Sequence, residues 1–201
     1  MNRLEELRDS EESSGNVPSV LFIDEGVHGG EGRYVTMTKP LSIIGAGRGM
    51  TTLVGFGLDI YGNKSDGIVE IDNLTIKGGG GFGLHAYYGM KVIMRGCTVE
   101  DCQRDGVCAW GADISCDDLQ VVGCGLSGVY ADDNATITLS GQGTTIQGNV
   151  TTGNSNRYGL FTYSSSSKIH LVHPLTKKQI STNNGGGGNW DEEGTIEQVF
   201  K

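Results

Sequence analysis

Seven side chains in the middle and later parts of the chain have chemistry suited to a ligand-binding surface. Most of them carry aromatic or imidazole rings, and a single carboxylate accompanies them. Exposed aromatic rings that lie together mark interaction surfaces, because they stack well on sugar rings and on protein side chains. We predict that one surface contains His85, Tyr87, Trp110, Tyr130, Asp132, Phe161 and Tyr163.

These side chains occur at matching positions because four segments of the chain align with one another. In each segment a glycine is followed by an aliphatic residue, a variable residue and a small residue. The glycines are Gly83, Gly106, Gly128 and Gly159, at intervals of 23, 22 and 31 residues. The longest interval predicts an insertion around residues 149–157. A period of about 22 residues with short alternating strands is typical of one coil of a parallel β-helix.

Alternation along the strand after each glycine separates inward from outward side chains. The predicted inward set is Leu84, Val107, Val129 and Leu160, with Ala86, Ala109, Ala131 and Thr162. One predicted outward column is His85, Cys108, Tyr130 and Phe161, and the next is Tyr87, Trp110, Asp132 and Tyr163. The rings of both columns form either an exposed interaction surface or a packed layer that stiffens the sheet or lies under a loop such as residues 149–157.

The whole sequence therefore predicts an all-β fold, a single right-handed parallel β-helix of about eight coils. Glycine accounts for 34 of 201 residues and proline for three, while 36% are apolar, which indicates a folded chain with many turns. The β-helix domain is predicted over residues 17–201. Residues 1–16 are predicted to be a tail or a short capping helix, because terminal coils need a cap. The stretch from Ser181 to Gly194 is predicted to be a loop.

The run YVTMTKPLSIIGAGRGMTTLVG, residues 34–55, resembles the opening coils of the carbohydrate-binding and sugar-hydrolase class of β-helix domains. The later coils, with Gly, then Val or Leu, a variable residue and a small one, resemble the same class. Similar coils occur in pectin-degrading enzymes and in the β-helix part of certain F-box proteins. The resemblance implies a pectin-lyase-like fold over most of the chain and allows an activity on polysaccharides.

No catalytic set is evident. Polygalacturonase-like hydrolases carry Asn-Thr-Asp, Asp-Asp and Gly-His-Gly on successive coils. This chain has Asp117-Asp118 and Asp132-Asp133 but no Gly-His-Gly. Glycoside hydrolysis needs two carboxylates on one face, about 5–9 Å apart, and Asp132 is the one acid that the alignment places in an outward column. An enzyme is therefore not the favoured interpretation.

The sequence also predicts no metal site and no cofactor, since neither a calcium loop nor zinc-type cysteine pairs occur. Five cysteines form no even framework, so all are predicted to be reduced. Cys102 and Cys124 occupy matching turn positions. Cys108 lies next to His85 in its column, which is the one arrangement that would suit a cysteine nucleophile.

The charge balance narrows the possible partners. A formal net charge of −9 disfavours nucleic acid and anionic membranes. Acidic residues interrupt the first segment, which therefore does not resemble a secretory signal, and no apolar run is long enough to cross a membrane. Together with the unpaired cysteines, this pattern predicts an intracellular and cytoplasmic protein.

Three functions remain open at this point. The first is a non-catalytic module that binds a protein or a neutral glycan through the aromatic face. The second is a polysaccharide-active enzyme, a lyase or a glycoside hydrolase relative. The third is a structural component of a larger assembly. Acid clusters on the aromatic face would favour the enzyme, whereas a flat apolar face without a cleft would favour interaction.

Overall fold

The computed structural model describes residues 19–30 and 34–200, and short parallel strands dominate this part of the chain. They form three sheets in which every third strand of the sequence is a neighbour. Sheet 1 contains β1 (Val20–Ile23), β4 (Ser42–Gly45), β7 (Ile68–Asp72), β10 (Lys91–Arg95), β13 (Asp113–Asp117), β16 (Thr136–Ser140), β19 (Lys168–Val172) and β22 (Thr195–Val199). Sheet 2 contains β2 (Gly26–Gly29), β5 (Thr51–Val54), β8 (Thr75–Lys77), β11 (Thr98–Glu100), β14 (Gln120–Val122), β17 (Thr145–Gln147) and β20 (Ser181–Thr182). Sheet 3 contains β3 (Tyr34–Met37), β6 (Gly57–Tyr61), β9 (Leu84–Tyr87), β12 (Val107–Trp110), β15 (Val129–Asp132), β18 (Tyr158–Thr162) and β21 (Gly188–Glu192).

Each complete coil adds one strand to sheet 1, one to sheet 2 and one to sheet 3. Within the described residues, seven such triplets are followed by β22, which begins an eighth coil. The prediction of an all-β solenoid of about eight coils is confirmed. The predicted register of the glycines is also confirmed: the Leu84 N–H donates to Gly106 O at 2.9 Å, and the Val107 N–H donates to Gly128 O at 2.9 Å.

The core is a single apolar column inside the coils. The predicted inward residues of sheet 3 are completely buried: Leu84, Ala86, Val107, Ala109, Val129, Ala131, Leu160 and Thr162. Sheet 1 supplies a second wall of buried side chains: Val69, Ile71, Val92, Met94, Ile114, Cys116, Ile137 and Leu139. Alternate side chains of each strand point into this core, so every coil presents its remaining side chains outward, where sheet 3 forms the candidate site. In the sheet 3 strands β9, β12 and β15, the first outward side chain is also buried.

The repeated glycine before each sheet 3 strand is required by packing. A Cβ on Gly83 would lie 2.2 Å from Val99 Cγ1 and 2.8 Å from Gly106 O. Only a residue without a side chain lets the connecting segment approach both sheet 2 and the next coil so closely. This close approach explains why the glycine spacing reports the coil length.

The predicted loop from Ser181 to Gly194 is the part of the fold prediction that was wrong. It contains β20 and β21, and Leu160 pairs with Trp190 at the edge of sheet 3. The hydrogen-bonding edge of β18 organises this glycine-rich segment, so a tertiary partner overrides weak local propensity. A four-residue helix, α1 (Lys177–Ile180), precedes β20. The predicted cap at residues 1–16 lies outside the described residues.

Candidate functional site

The outer surface of sheet 3 carries two parallel columns of side chains, because its strands are in register. We call the first the covered column: Asp59, His85, Cys108, Tyr130 and Phe161. We call the second the open column: Tyr61, Tyr87, Trp110, Asp132 and Tyr163. All seven predicted site residues lie in these two columns, which run along the solenoid axis.

Of the two alternatives for the rings, the covered layer applies to the covered column and the exposed surface to the open column. His85 is 8% exposed, Tyr130 is 9% and Phe161 is 4%. The segments between sheets 2 and 3 fold back over these rings and add a layer that strand alternation alone does not include. Phe82 stacks on His85 with ring centroids 4.6 Å apart, and Tyr158 packs on Phe161 at 5.2 Å.

Two arginines complete this cover. The guanidinium carbon of Arg104 lies 4.3 Å from the centre of the Phe82 ring, and that of Arg157 lies 4.8 Å from the centre of the Tyr130 ring. Cation–π contacts of this kind attach a charged side chain to an aromatic face. The covered column is therefore protected from solvent by two rings, each directly before a repeated glycine, and by two arginines, each two residues before one.

A buried ion pair anchors Arg157. Asp105 is 1% exposed, and its carboxylate lies 3.8 Å from an Arg157 nitrogen and accepts the Ser127 N–H at 2.8 Å. Burial raises the pKa of Asp105 above its usual value, and the nearby arginine opposes part of that shift. The pair holds the segment after the insertion against the sheet.

The open column retains its exposed rings. Trp110 is 40% exposed, Tyr61 is 36% and Tyr163 is 53%, while Tyr87 is half-buried between its neighbours. The centroids of Tyr61 and Tyr87 are 5.7 Å apart, and those of Tyr87 and Trp110 are 5.5 Å apart. Three adjacent strands thus present a continuous row of rings. Asp132 follows in the row and separates Trp110 from Tyr163.

Tyr88 widens this row at the turn after β9. Its ring meets that of Tyr87 edge to face at 4.5 Å, and its hydroxyl donates to the Asp133 carboxylate. That hydrogen bond raises the pKa of the Tyr88 hydroxyl to about 12. The alignment of the four repeated segments does not predict Tyr88 as a site residue. Tyr88 lies beyond the alternating strand positions, in a left-handed conformation with φ of 40°.

Tyr61 was also missed, although its coil carries a recognisable signal. The segment Gly57-Leu58-Asp59-Ile60-Tyr61 has the repeated pattern with isoleucine in place of the small residue. Leu58 pairs with Leu84, and Tyr61 pairs with Tyr87. A looser definition of the small position would have extended both columns by one coil toward the N-terminus.

The carboxylate of Asp132 is held on the surface by its neighbours. It accepts the Tyr130 hydroxyl at 3.1 Å and the Asp133 N–H at 2.7 Å. Burial, together with this carboxylate, raises the pKa of the Tyr130 hydroxyl, which therefore stays protonated as a donor. Asp132 remains half-buried and can accept hydrogen bonds from a ligand in the row.

A second carboxylate lies at the N-terminal end of the covered column. Asp59 Oδ1 lies 3.1 Å from His85 Nδ1, and the Tyr61 hydroxyl donates to Asp59 Oδ2 at 3.5 Å. Within the described part of the chain, His85 Nε2 is buried and has no hydrogen-bond partner. In the Asp59–His85 pair, Nδ1 of the imidazole contacts the carboxylate, whereas the buried Nε2 makes no hydrogen bond within the described residues.

The five cysteines are buried free thiols. Burial raises the pKa of Cys108 well above its usual value, so the thiol beside His85 stays protonated and is a poor nucleophile. Cys102 and Cys124 lie in matching positions, as predicted, and a hydrogen bond between them lowers the pKa of Cys102. In residues 19–30 and 34–200, no group of three or more metal-binding side chains is placed to hold an ion. The described helices include none that is long and apolar enough to cross a membrane.

The geometry defines a parallel β-solenoid with an aromatic and acidic outer face. A family model described as "Right handed beta helix region" matches residues 54–175, and the chain belongs to this family. This assignment confirms the predicted handedness and the predicted β-helix class.

Two solved structures are similar to this chain at low sequence identity. The catalytic domain of Agl-KA is 12% identical with a TM-score of 0.46, and the match covers 100% of this chain and 45% of that one. The A-module of the Azotobacter vinelandii mannuronan C-5 epimerase AlgE6 is 12% identical with a TM-score of 0.30, and the match covers 97% and 93% of the two chains. The chain therefore spans less than half of the Agl-KA structure. The comparison with curated proteins finds no match.

Proposed function

We propose that this β-helix binds a neutral glycan along the open column, without catalysing a reaction on it. The observation that carries the proposal is the row of Tyr61, Tyr87 and Trp110 on three adjacent strands. Rings on neighbouring parallel strands repeat about every 4.8 Å along the solenoid. Such a row offers stacking contacts to successive units of an extended sugar chain.

The charges around the row favour a neutral ligand. Asp132 lies within it, and Asp133 lies beside it as the acceptor of the Tyr88 hydroxyl. Carboxylates accept hydrogen bonds from sugar hydroxyls, whereas they repel the carboxylates or sulfates of anionic polymers. The net charge of −9 adds a long-range repulsion of the same sign.

The same carboxylates favour a glycan over a protein partner. Protein interfaces are depleted of charged residues at their centre, because burying an unpaired carboxylate costs desolvation energy. A protein that covers both Trp110 and Tyr163 would bury Asp132 between them. A glycan can leave this carboxylate hydrated or satisfy it with a hydroxyl.

Asp59 and Asp132 are too far apart to act together as the two carboxylates of a glycoside hydrolase. Asp59 and Asp132 are separated by three strand steps, which is about 14 Å at the usual strand spacing. Hydrolysis with two carboxylates needs a separation of about 5–9.5 Å. Asp59 is also bonded to His85 and lies in the covered column. For the Asp59–Asp132 pair, these positions favour binding over cleavage.

The test is a binding panel of four neutral hexasaccharides, composed of glucose, xylose, mannose or galactose, with polygalacturonate and alginate as anionic comparators. Calorimetry measures binding, and chromatography of each mixture detects shorter products. We expect at least one neutral sugar to bind and to be recovered intact. The proposal is wrong if none of the four binds, if only the anionic polymers bind, or if the bound sugar is cleaved.

A further inference from the structure

The buried imidazole of His85 has one nitrogen that the protein does not use. Nδ1 faces the Asp59 carboxylate at 3.1 Å, so in the neutral ring the proton belongs on Nδ1. Nε2 then carries a lone pair and can only accept a hydrogen bond. It is buried and has no partner among the described residues. Buried polar atoms are nearly always hydrogen-bonded, so an unused acceptor needs an explanation.

We infer that His85 Nε2 accepts a hydroxyl of the glycan bound on the open column, and that the Phe82 side chain covers this acceptor until the ligand binds. The inference rests on the proposed function and adds a specificity-determining residue to it. An acceptor held in one orientation by Asp59 selects a hydroxyl at one position of the sugar, whereas stacking on aromatic rings is tolerant of sugar identity.

The position of the imidazole fits this role. Its ring centroid lies 5.7 Å from that of Tyr87 and 6.5 Å from that of Tyr61, so it borders the open column directly. A sugar that stacks on Tyr87 therefore lies beside His85. Within the described residues, no three metal-binding side chains lie close enough together to hold an ion. This favours a hydroxyl over a metal ion as the ligand of Nε2.

The cover over His85 is a side chain and not a mobile loop. The Phe82 ring stacks on the imidazole with a centroid distance of 4.6 Å and an interplanar angle of 23°. The guanidinium group of Arg104 lies over the Phe82 ring. The backbone is fixed, because the Phe82 N–H donates to the Tyr34 hydroxyl at 3.2 Å and Gly83 O accepts the Leu58 N–H at 2.9 Å. In the inferred movement, the half-buried Phe82 ring rotates out of this stack while the backbone stays in place, and the glycan hydroxyl then reaches Nε2.

The decisive measurement is nuclear magnetic resonance of the imidazole nitrogens during titration with the tightest-binding neutral hexasaccharide of the panel. We expect the Nε2 resonance of His85 to shift as it accepts a hydrogen bond. The indole resonance of Trp110 reports stacking in the same sample. A shift of the indole without any change at Nε2 would overturn the inference and leave the proposed function intact. If no neutral sugar moves either resonance, the proposed function itself fails.

Three variants separate ligand binding from a structural role. Phe82→Ala removes the cover, so we expect the sugar to associate several-fold faster. The double variant Asp59→Asn/His85→Phe keeps a ring under Phe82 without leaving a charged carboxylate unpaired, and we expect it to bind about tenfold more weakly, as the loss of one hydrogen bond implies. Cys108→Ala, at the next position of the covered column, is the matched control and should bind like the wild type.

Melting temperatures of all three variants identify those that remain folded. A folded double variant with wild-type affinity would show that His85 is only structural. Unchanged association in Phe82→Ala would show that its ring covers nothing that the sugar needs. Either result contradicts the inference.

Discussion

Substitutions in the covered column and in the open column of sheet 3 are expected to affect different properties of the protein. Residues of the covered column pack under Phe82, Tyr158 and two arginines, so their substitution acts first on stability. Residues of the open column contact solvent on one side, and the apolar core lies on the opposite side of the strand. Mutations in the open column can therefore test binding while the fold survives.

Trp110 is the residue expected to contribute most to glycan affinity. It has the largest ring in the row, is 40% exposed and lies between Tyr87 and Asp132. Trp110→Ala should weaken binding by about 2 kcal/mol, which is roughly thirtyfold in Kd, as is typical of an interface hot spot. Calorimetry with the tightest-binding neutral hexasaccharide measures this change. Phe22→Ala is the control, since Phe22 is an exposed ring on sheet 1, outside the site.

The outcome for Trp110→Ala separates two roles of the ring. A lower melting temperature with unchanged affinity would mean that the tryptophan only stiffens the sheet through its contact with Tyr87. An unchanged melting temperature with weakened binding is the expected result. Both quantities are measured on the same preparation.

The buried thiols predict a loss of stability at alkaline pH. Burial raises the pKa of Cys97 to about 11, whereas in the unfolded chain the thiol ionises near its ordinary value of 9.0. A raised folded pKa means that the contribution to stability is complete below pH 9 and is lost as the pH rises toward 11. Cys97 alone should cost about 2 kcal/mol between about pH 8 and pH 10.5.

Urea unfolding in the presence of reductant, at about pH 8 and pH 10.5, measures this loss. Cys97→Ser keeps a donor for Ile71 O, which the thiol contacts at 3.3 Å, and removes the titration. The variant should therefore lose about 2 kcal/mol less than the wild type over this range. Equal losses in both proteins would show that Cys97 does not titrate in the way that its burial implies.

At the scale of strands and turns, the coil geometry depends on a close approach that only glycine permits. A Cβ on Gly106 would lie 2.3 Å from Val121 Cγ1 and 2.8 Å from Gly128 O. The backbone carbonyl cannot move away cheaply, because Gly128 O accepts the Val107 N–H in the sheet. Gly106→Ala should lower the free energy of unfolding by about 1–3 kcal/mol, as overpacking does.

The matched control is Gly29→Ala in sheet 2, where the added Cβ would lie 3.9 Å from Val54 O. Its effect should stay within about 0.5 kcal/mol. Denaturant unfolding of both variants measures the difference. If the two substitutions cost the same, the glycine repeat does not arise from packing between coils.

The repeat made this architecture predictable, since the spacing of Gly83, Gly106 and Gly128 reports a packing requirement that recurs once in each coil. Strand alternation then assigned the inward residues correctly. The covering layer was not predictable in the same way. Phe82 directly precedes a repeated glycine and Arg157 lies two residues before one, but these offsets alone do not state that the side chains fold over the sheet.

The turn after each sheet 2 strand contains another feature that the repeat did not predict. Asn149 lies 1% exposed in the position of Cys124 one coil earlier, accepts the Cys124 N–H at 3.0 Å and donates to Val121 O at 3.1 Å. Asn184 continues this ladder and accepts from Asn149 at 3.0 Å. The same position in successive coils is occupied by a thiol and then by amides, so residue similarity alone could not reveal that these residues are equivalent.

At the scale of the whole molecule, basic side chains on sheets 1 and 2 pair with acidic neighbours. On sheet 1, Arg95 pairs with Glu70 at 2.7 Å and with Asp72 at 3.0 Å, and on sheet 2, Lys77 pairs with Glu100 at 2.8 Å. Such exposed pairs add little stability, but they neutralise basic side chains away from sheet 3. Asp132 and Asp133, beside the open column, contribute to the overall formal charge of −9.

This distribution predicts that glycan affinity is nearly independent of salt. A neutral sugar forms no ion pair and releases no counterions, so raising sodium chloride from about 0.05 to about 0.5 M should change Kd less than about twofold. Calorimetry of the tightest-binding neutral hexasaccharide at both concentrations measures the effect. Polygalacturonate, repelled by Asp132 and the overall charge, should remain unbound at the lower concentration. A steep loss of hexasaccharide affinity with salt would contradict this prediction, because screening weakens attraction only between charges and the sugar carries none.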